Sequence, residues 1–371
     1  MKTKALAAAA NRELLNRKDK GTLVAGADVK LGDWMRHWVS IANLKPYVQS
    51  SYSWNIDAYI DPHIGAIKLS ALKAEHLENL YSRMAAGDIG KSGRPLSPRT
   101  IGAVHANIRA ALNVAVARGR VGSNVALHAV TPAKPKAETT SFSEADARAI
   151  LQAAQGSRLE ARWNLGIMYG VRPAEALGLA WSDVDLDSGV IHVHSQLQRV
   201  RGVGLMYTPN PKTKAGDRYI TIAPVVVDLL RATREQQMHD RIVNADTYTE
   251  WEYDGKPVGL VFTRPNGRPI EPRLDSEYWR DLLASTGLPH AVRYQLRHTA
   301  ATLMLDDGAD VVVVAHILGH ANASFTYDTY VHPLEIRKAE VGVSMGRLAP
   351  YAAPYEVAEG RSPTEQEKAD R

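Results

Sequence analysis

The chain has 371 residues, a formal charge of +5 and no cysteine. The missing thiols exclude disulfides, thiolate zinc sites, iron–sulfur ligation and a cysteine nucleophile. At 45% hydrophobic and 23% charged residues the composition is ordinary globular, and about 150 residues per domain predicts two domains. The charge is uneven: residues 1–140 carry 20 Lys/Arg against 10 Asp/Glu, which leaves the remainder net acidic by five. A basic half joined to a mildly acidic one points to nucleic acid.

In chain order, Lys2 and Lys4 precede a short run, Ala5 to Ala10, with Arg12, Glu13 and Arg17 directly behind it. That run is too short for a signal-peptide core and reads as the start of a helix over 1–20, with a linker from Gly21 to Asp28. Trp34, Trp38 and Ile41 then recur at i, i+4, i+7 and mark one face of a helix. A second helix is predicted over Ser50–Ile60 with Tyr52, Ile56 and Tyr59 inward, broken at Asp61-Pro62 and Gly65. Glu75 to Ala85 predicts a third, with Leu77, Leu80 and Met84 inward. A long helix from about Ser97 to Arg118 carries the stripe Ile101, Val104, Ile108, Ala111, Leu112 and Ala115. Arg99, Arg109 and Arg118 lie on or beside its polar side.

Thr131 to Lys136 and Ala137 to Thr140 have two prolines and no large apolar residue, the composition of a linker. The expected domains are thus a helical one over 29–130, a linker over 131–140 and a second domain over 141–345. Ser143 with Asp146 three residues on is a capping-box start. Helices follow to about Met168 and through Pro173–Leu179. Ile191–Ser195 and Arg218–Ile222 alternate as strands on either side of a Gly/Pro/Lys-rich connection, Gly202 to Asp217, and predict a small antiparallel sheet. Helices return from Pro224. The tail from about Leu348 is polar and reads as disordered. The longest apolar run, around Val311–Val314, is far short of a membrane span, so a soluble cytoplasmic protein with no membrane partner is expected.

The chain has no Walker A loop, no G-x-G-x-x-G and no G-x-S-x-G. His316 and His320 are four apart, without the glutamate of a metalloprotease helix and with Gly319 between them. No metal site is read there. Four other segments, taken singly, have ordinary readings. Arg172 is spaced for an ion pair with Glu175. Arg297 and His298 could satisfy helix ends, Tyr330 could be a core aromatic, and Lys212 in Pro211-Lys-Thr-Lys214 could be a solvated charge.

Their order and spacing together resemble the tyrosine recombinase (phage integrase) family over roughly residues 29–345. The resemblance implies a mostly helical protein with a small antiparallel sheet, a core DNA-binding domain and a catalytic domain. Arg172 and Arg297 take the places of the two catalytic arginines. His320 stands in the Leu-Gly-His motif, Lys212 (or Lys214) on the hairpin loop, and Tyr330 at the nucleophile, with Tyr327 as competitor. Glu175 and His298 would support the arginines beside them. The family's His-x-x-Arg slot holds Tyr294 in Tyr294-Gln-Leu-Arg297. A phenol can donate to a phosphate oxygen but is a poor base near neutral pH, because its ordinary pKa is about 10.

The chemistry suits these residue types. A phosphodiester attacked by a phenol gains charge on its non-bridging oxygens, and fork-shaped, permanently charged guanidiniums match it. A lysine can protonate the departing 5′ oxygen, and a covalent 3′-phosphotyrosyl link retains the bond energy without ATP. The resemblance further implies double-stranded DNA attachment sites, a homo-tetramer on paired sites, and a host bending factor or excisionase as helpers. It implies no cofactor and no metal. Arg99, Arg109, Arg118, Lys134, Lys136 and Lys214 are the expected phosphate-binding residues. A helix over about Leu334–Met345 is expected to dock on a neighbouring protomer. The 28 residues ahead of the helical domain are expected to be a connecting helix and linker, or what remains of an arm-binding domain. Two rivals stay open: a type IB topoisomerase, and a catalytically silent DNA-binding regulator on the same fold.

Overall fold

A computed structural model gives the fold. It describes residues 29–90, 93–133, 141–209 and 214–330, with the side chains of Lys214, Asp328 and Tyr330 outside that description. The readings for 1–28, Lys134, Lys136, Lys212, the helix over 334–345 and the tail lie outside the described residues.

The helical lobe is built on α1 (Leu31–Ile41), α2 (Pro46–Asn55), α3 (Ala74–Ala86) and α4 (Pro98–Ala117). Ser97 caps α4 by accepting from the Thr100 N–H at 3.2 Å, and Pro98 supplies a preset first turn. The α4 stripe is fully buried, as its period predicts. The Trp34 indole of α1 donates to the Ala111 carbonyl of α4 at 2.9 Å, which fixes one tryptophan in the core.

Two details differ from the sequence expectation. Ile41 is exposed; the buried face of α1 is Trp34, Met35, Trp38 and Val39, since the last turn runs past the core. Asp61-Pro62 does not break the second helix. The chain continues as one wider turn, Ile56–Ile60, and then Asp61–Ile64. The Asp61 N–H reaches back five residues to the Ile56 carbonyl, so Pro62 falls in a new first turn where no donor is required.

The second lobe opens with the predicted capping box: the Ser143 hydroxyl accepts from the Asp146 N–H, and the Asp146 carboxylate accepts from the Ser143 N–H, both at 3.1 Å. Helices α5 (Glu144–Ala154), α6 (Glu160–Tyr169) and α7 (Pro173–Gly178) follow. Then come β1 (Val184–Asp185), β2 (Val190–Val193), β3 (Gln196–Val200), β4 (Gly204–Thr208) and β5 (Arg218–Thr221). The order β1-β2-β5 forms one antiparallel sheet, with His192 opposite Tyr219 and Val193 opposite Arg218. The expected connection from Gly202 is in part a strand. β3 and β4 pair as a separate hairpin inserted in sequence between β2 and β5, which pair with each other as predicted. Its alternation is weak because four of the five β4 residues are only half buried.

Helix α8 (Pro224–Val243), the short pair β6 (Glu252–Tyr253) and β7 (Lys256–Pro257), and helices α9 (Pro272–Ser285), α10 (Gln295–Asp306), α11 (Val311–Leu318) and α12 (Ala323–Tyr330) complete the described chain. The second core gathers Trp163, Trp279 and Phe142 with the inner faces of α5, α6 and the sheet. The two lobes touch beside the β3–β4 hairpin tip. There the Ser50 hydroxyl donates to the Arg201 carbonyl at 2.8 Å, and the Arg201 guanidinium lies 3.5 Å from the centre of the Trp54 ring.

Candidate active site

Between the lobes lies a cleft of about 980 Å³, with Lys45 and Tyr47 on the helical side and Arg172, Gln198, Tyr294 and His320 on the other. Four local structures bring the far wall together. Arg172 precedes α7 with extended backbone, and Pro173 starts the helix behind it. Its N–H donates to Glu175 Oε2 at 3.0 Å and its Nη1 to Oε1 at 2.5 Å, so the helix start and the guanidinium are set by one carboxylate. The ion pair suggested by their spacing exists, but Glu175 is 2% exposed and belongs to the interior. Arg297 sits in the first turn of α10, 1% exposed, and donates from Nη1 to the Gly170 carbonyl at 2.9 Å. Among the described residues its Nε and Nη2 have no hydrogen-bond partner, though both are buried.

The third element is the turn after α11. Gly319 closes that helix at φ +67°, the left-handed conformation glycine adopts without strain. Its carbonyl accepts from Arg172 Nη2 at 3.0 Å, and His320 follows into the cleft. The fourth is α12, whose Thr326 hydroxyl is 2.6 Å from His320 Nδ1 while Phe325 meets the imidazole edge-on. When the hydroxyl donates to Nδ1, Nε2 carries the remaining proton and becomes a donor.

Charge in this wall is one-sided. Among the described residues, Arg172, Arg297 and the fully buried Arg218 face a single carboxylate, Glu175. Burial first, and then Arg172, pushes the Arg297 guanidinium down to about 10. Burial, followed by Arg297 and Arg172, pushes His320 down to about 4, so its imidazole is neutral at physiological pH. His298 is lowered by burial and by Arg297, and its ring meets Tyr294 edge-on at 5.3 Å. A pair of guanidiniums with spare N–H donors beside a neutral imidazole has the donor chemistry that suits an anion.

The structure brings Arg172, Glu175, Tyr294, Arg297, His298 and His320 to one wall. Tyr330 ends α12, one helical turn after Thr326, and Tyr327 on the same helix is half exposed. Lys214 lies in a short turn, Lys214–Gly216, leading into β5. Arg99, Arg109 and Arg118 are exposed on the helical lobe and do not line this cleft. Three residues escaped the sequence reading. Lys45 and Tyr47 were marked only by the Pro46 helix start. Arg218 left a clearer trace, since it is a charge in the same strand phase as Ile220 and Ile222.

A two-lobed, mostly helical protein with paired arginines, a neutral histidine and a tyrosine-bearing helix at the cleft defines a DNA strand-transfer enzyme. Comparison with known proteins agrees. Residues 140–336 match the phage integrase family model. The chain is 27% identical over 364 residues to a XerC-like tyrosine recombinase of Caldanaerobacter subterraneus, covering 94% of this chain and 90% of that protein. It is 26% identical to an integrase of Saccharopolyspora erythraea over 83% of this chain and 80% of the relative. Its fold matches a Tn1549 transposon integrase solved in complex with transposon right end DNA: TM-score 0.70, 21% identity, 86% of this chain and 99% of that one. The chain belongs to the phage integrase family and is a site-specific DNA recombinase of the tyrosine type. Among the described residues no helix is long and apolar enough to cross a membrane.

Proposed function

We propose that this recombinase cleaves and rejoins double-stranded DNA at attachment sites through a 3′-phosphotyrosyl link at Tyr330, integrating or excising a mobile element. The observation that carries this reading is Arg297, a buried guanidinium with two N–H edges unpartnered among the described residues, one helical turn on from the cleft-lining Tyr294 and next to Arg172. Leaving such donors buried and unpaired costs free energy that a bound phosphate would recover.

In the proposed mechanism Arg172 and Arg297 hold the non-bridging oxygens of the scissile phosphate, and His320 adds a donor through Nε2. Tyr294 occupies the slot beside Arg297 and donates from its phenol, without a general-base role. Attack by Tyr330 forms the P–O bond to the phenol and breaks the P–O5′ bond, and the phenolic proton leaves to solvent water. Lys212, or Lys214 in its place, delivers a proton to the departing 5′ oxygen. A 5′-hydroxyl from a partner strand then reverses the step. Helical period supports Tyr330 over Tyr327. Position 330 is one turn on from Thr326, which already faces His320, whereas position 327 is rotated about 100° from it.

The same reading places the linker of residues 131–140 across the duplex, with Lys134 and Lys136 against phosphates, and Arg99, Arg109 and Arg118 along the helical lobe's DNA face. A lambda integrase tetramer bound to a Holliday junction shares the fold at TM-score 0.57, with 16% identity over 85% of this chain and 80% of that one. It supports a tetramer on paired sites here. The setting would be the cytoplasm of the cell hosting the element, with an excisionase or a bending protein setting direction.

The test is a nicked duplex built from the flanks of the element that encodes the chain. Wild type is expected to trap a covalent protein–DNA adduct on a denaturing gel, and Tyr330→Phe to lose it. Loss in Tyr327→Phe alone would move the nucleophile. An absence of adduct on a duplex that is demonstrably bound would favour the silent regulator.

A further inference from the structure

Arg218 opens β5, and its side chain has no exposure. The proposed chemistry gives it no task, yet its guanidinium joins three pieces of chain. Nε donates to the Ile317 carbonyl at 2.6 Å, three residues before His320. Nη2 donates to Glu175 Oε2 at 2.9 Å, and Nη1 reaches Glu175 Oε1 at 3.3 Å. Nη1 also reaches the Gly216 carbonyl at 3.4 Å, two residues after Lys214. The His320 turn is built against this group. A Cβ at Gly319 would come within 2.9 Å of Arg218 Nη1 and 2.7 Å of the Ala215 carbonyl.

We propose that Arg218 is a positioning residue for strand cleavage: it locks Glu175 and the C-terminal end of α11 into one register, so that Arg172 and His320 meet the same phosphate. This rests on the reading that Arg172 and His320 bind the scissile phosphate. Glu175 is shared between two arginines, and that sharing limits its hold on Arg172. With Arg218 gone, Arg172 is the one direct ion-pair partner the buried carboxylate keeps among the described residues, with Arg297 acting on it only at longer range, and a poorly paired buried charge is costly. Arg172 is then drawn toward Glu175 and away from the cleft, while the Ile317 carbonyl loses its donor and the His320 turn its backing. Lysine keeps the charge but not the planar fork that reaches a carbonyl and a carboxylate together.

Burial alone raises the Glu175 carboxyl; Arg218, and after it Arg172, outweigh burial and hold it below the usual carboxylate range. The charged and titratable groups facing it are Arg172 from α7, Arg218 from β5 and Arg297 from α10, with His320 beyond Arg172. Removing Arg218 therefore moves the carboxyl upward. Above its new pKa the anion holds Arg172 back; below it the neutral acid releases Arg172.

The experiment measures site binding and single-turnover adduct formation from pH 5 to 8 on the nicked duplex, for the full-length wild type, Arg218→Met, Arg218→Lys, Glu175→Gln and Glu175→Gln/Arg218→Met. Arg218→Met is expected to bind DNA within about three-fold of wild type and to form adduct about 100-fold more slowly, as a misplacement near 1 Å commonly causes. Arg218→Lys is expected to fall between them, at about ten-fold. The ratio of Arg218→Met to wild type should rise toward low pH, and that rise should vanish in the Glu175→Gln background. Cleavage by Arg218→Met within about three-fold of wild type overturns the proposal. So does a loss that is flat in pH and unchanged by Glu175→Gln, since that is the mark of general structural support. If Arg218→Met does not fold, Arg218→Lys decides: wild-type cleavage overturns the proposal, and a ten-fold loss with native melting supports it. A wild type that makes no adduct overturns the recombination chemistry itself, whereas wild-type adduct with an unaffected Arg218→Met overturns only this role.

Discussion

The two lobes handle positive charge in opposite ways. The helical lobe belongs to the basic half of the chain and keeps Arg99, Arg109 and Arg118 in solvent over a core of aliphatic and aromatic side chains. The second lobe belongs to the net acidic half, yet it buries Arg218 and Arg297 and half-buries Arg172 around one carboxylate. In the proposed reading, net charge attracts DNA to the helical lobe, and the buried arginines grip the phosphate. An exposed cation is screened by salt and worth little in any one place. A desolvated cation held by fixed partners acts in a lower dielectric and needs no reorganisation when charge develops on the substrate.

The largest expected break in this contrast comes from Arg297→Ala. Adduct formation in a single-turnover assay should fall about 10³-fold, at the upper end for losing one donor to a developing anion, while binding to the site duplex changes far less. Comparable loss of both would mean that Arg297 only supports the fold. Next in size is the apolar core of the helical lobe. Ile108 is 0% exposed, and Ile108→Ala should cost about 2–5 kcal/mol in urea unfolding, through lost transfer free energy and the cavity left behind. A cost below about 1 kcal/mol would place that site outside the cooperative core.

Smaller effects sharpen the contrast. Arg99→Gln, Arg109→Gln and Arg118→Gln should each weaken binding evenly across sequences and lower the log–log salt slope by about 0.9 for every phosphate the protein no longer neutralises. A titration from about 50 to 200 mM salt reads this directly, and an unchanged slope would remove that arginine from the DNA face. Last comes His320. Its folded-state pKa of about 4 lies below the ordinary histidine value, so the unfolded chain binds the proton more readily. Stability from this group is present above the ordinary value of about 6.5 and is lost as pH falls from there toward 4. His320→Asn should flatten that part of the stability–pH curve. His298 is shifted in the same direction, so some slope should remain.

Much of the layout could be read from the sequence because it is local. The α4 stripe, the Ser97 cap and the Ser143–Asp146 box are decided within one or two helical turns, where period and capping chemistry act. The misreadings also have local causes. Pro62 looks like a break because the wider turn that accommodates it leaves no sequence signature, and β4 hid in a connection because its residues are only half buried. Tyr294 marked its slot by spacing alone, and the structure sets its phenol on the cleft wall beside His320.

By itself the sequence determined the element periods and the residue types on which phosphoryl transfer by a tyrosine depends. Tertiary structure decided which of those residues stand together on one wall of the cleft. Arg172 reaches Gly319 across 147 positions, Arg297 reaches Gly170 across 127, and Arg218 reaches Glu175 across 43. Local propensity says nothing about pairs so far apart. They form because burying a guanidinium is costly until a carboxylate or a helix-end carbonyl meets it, and only the packed core can deliver those partners to one place.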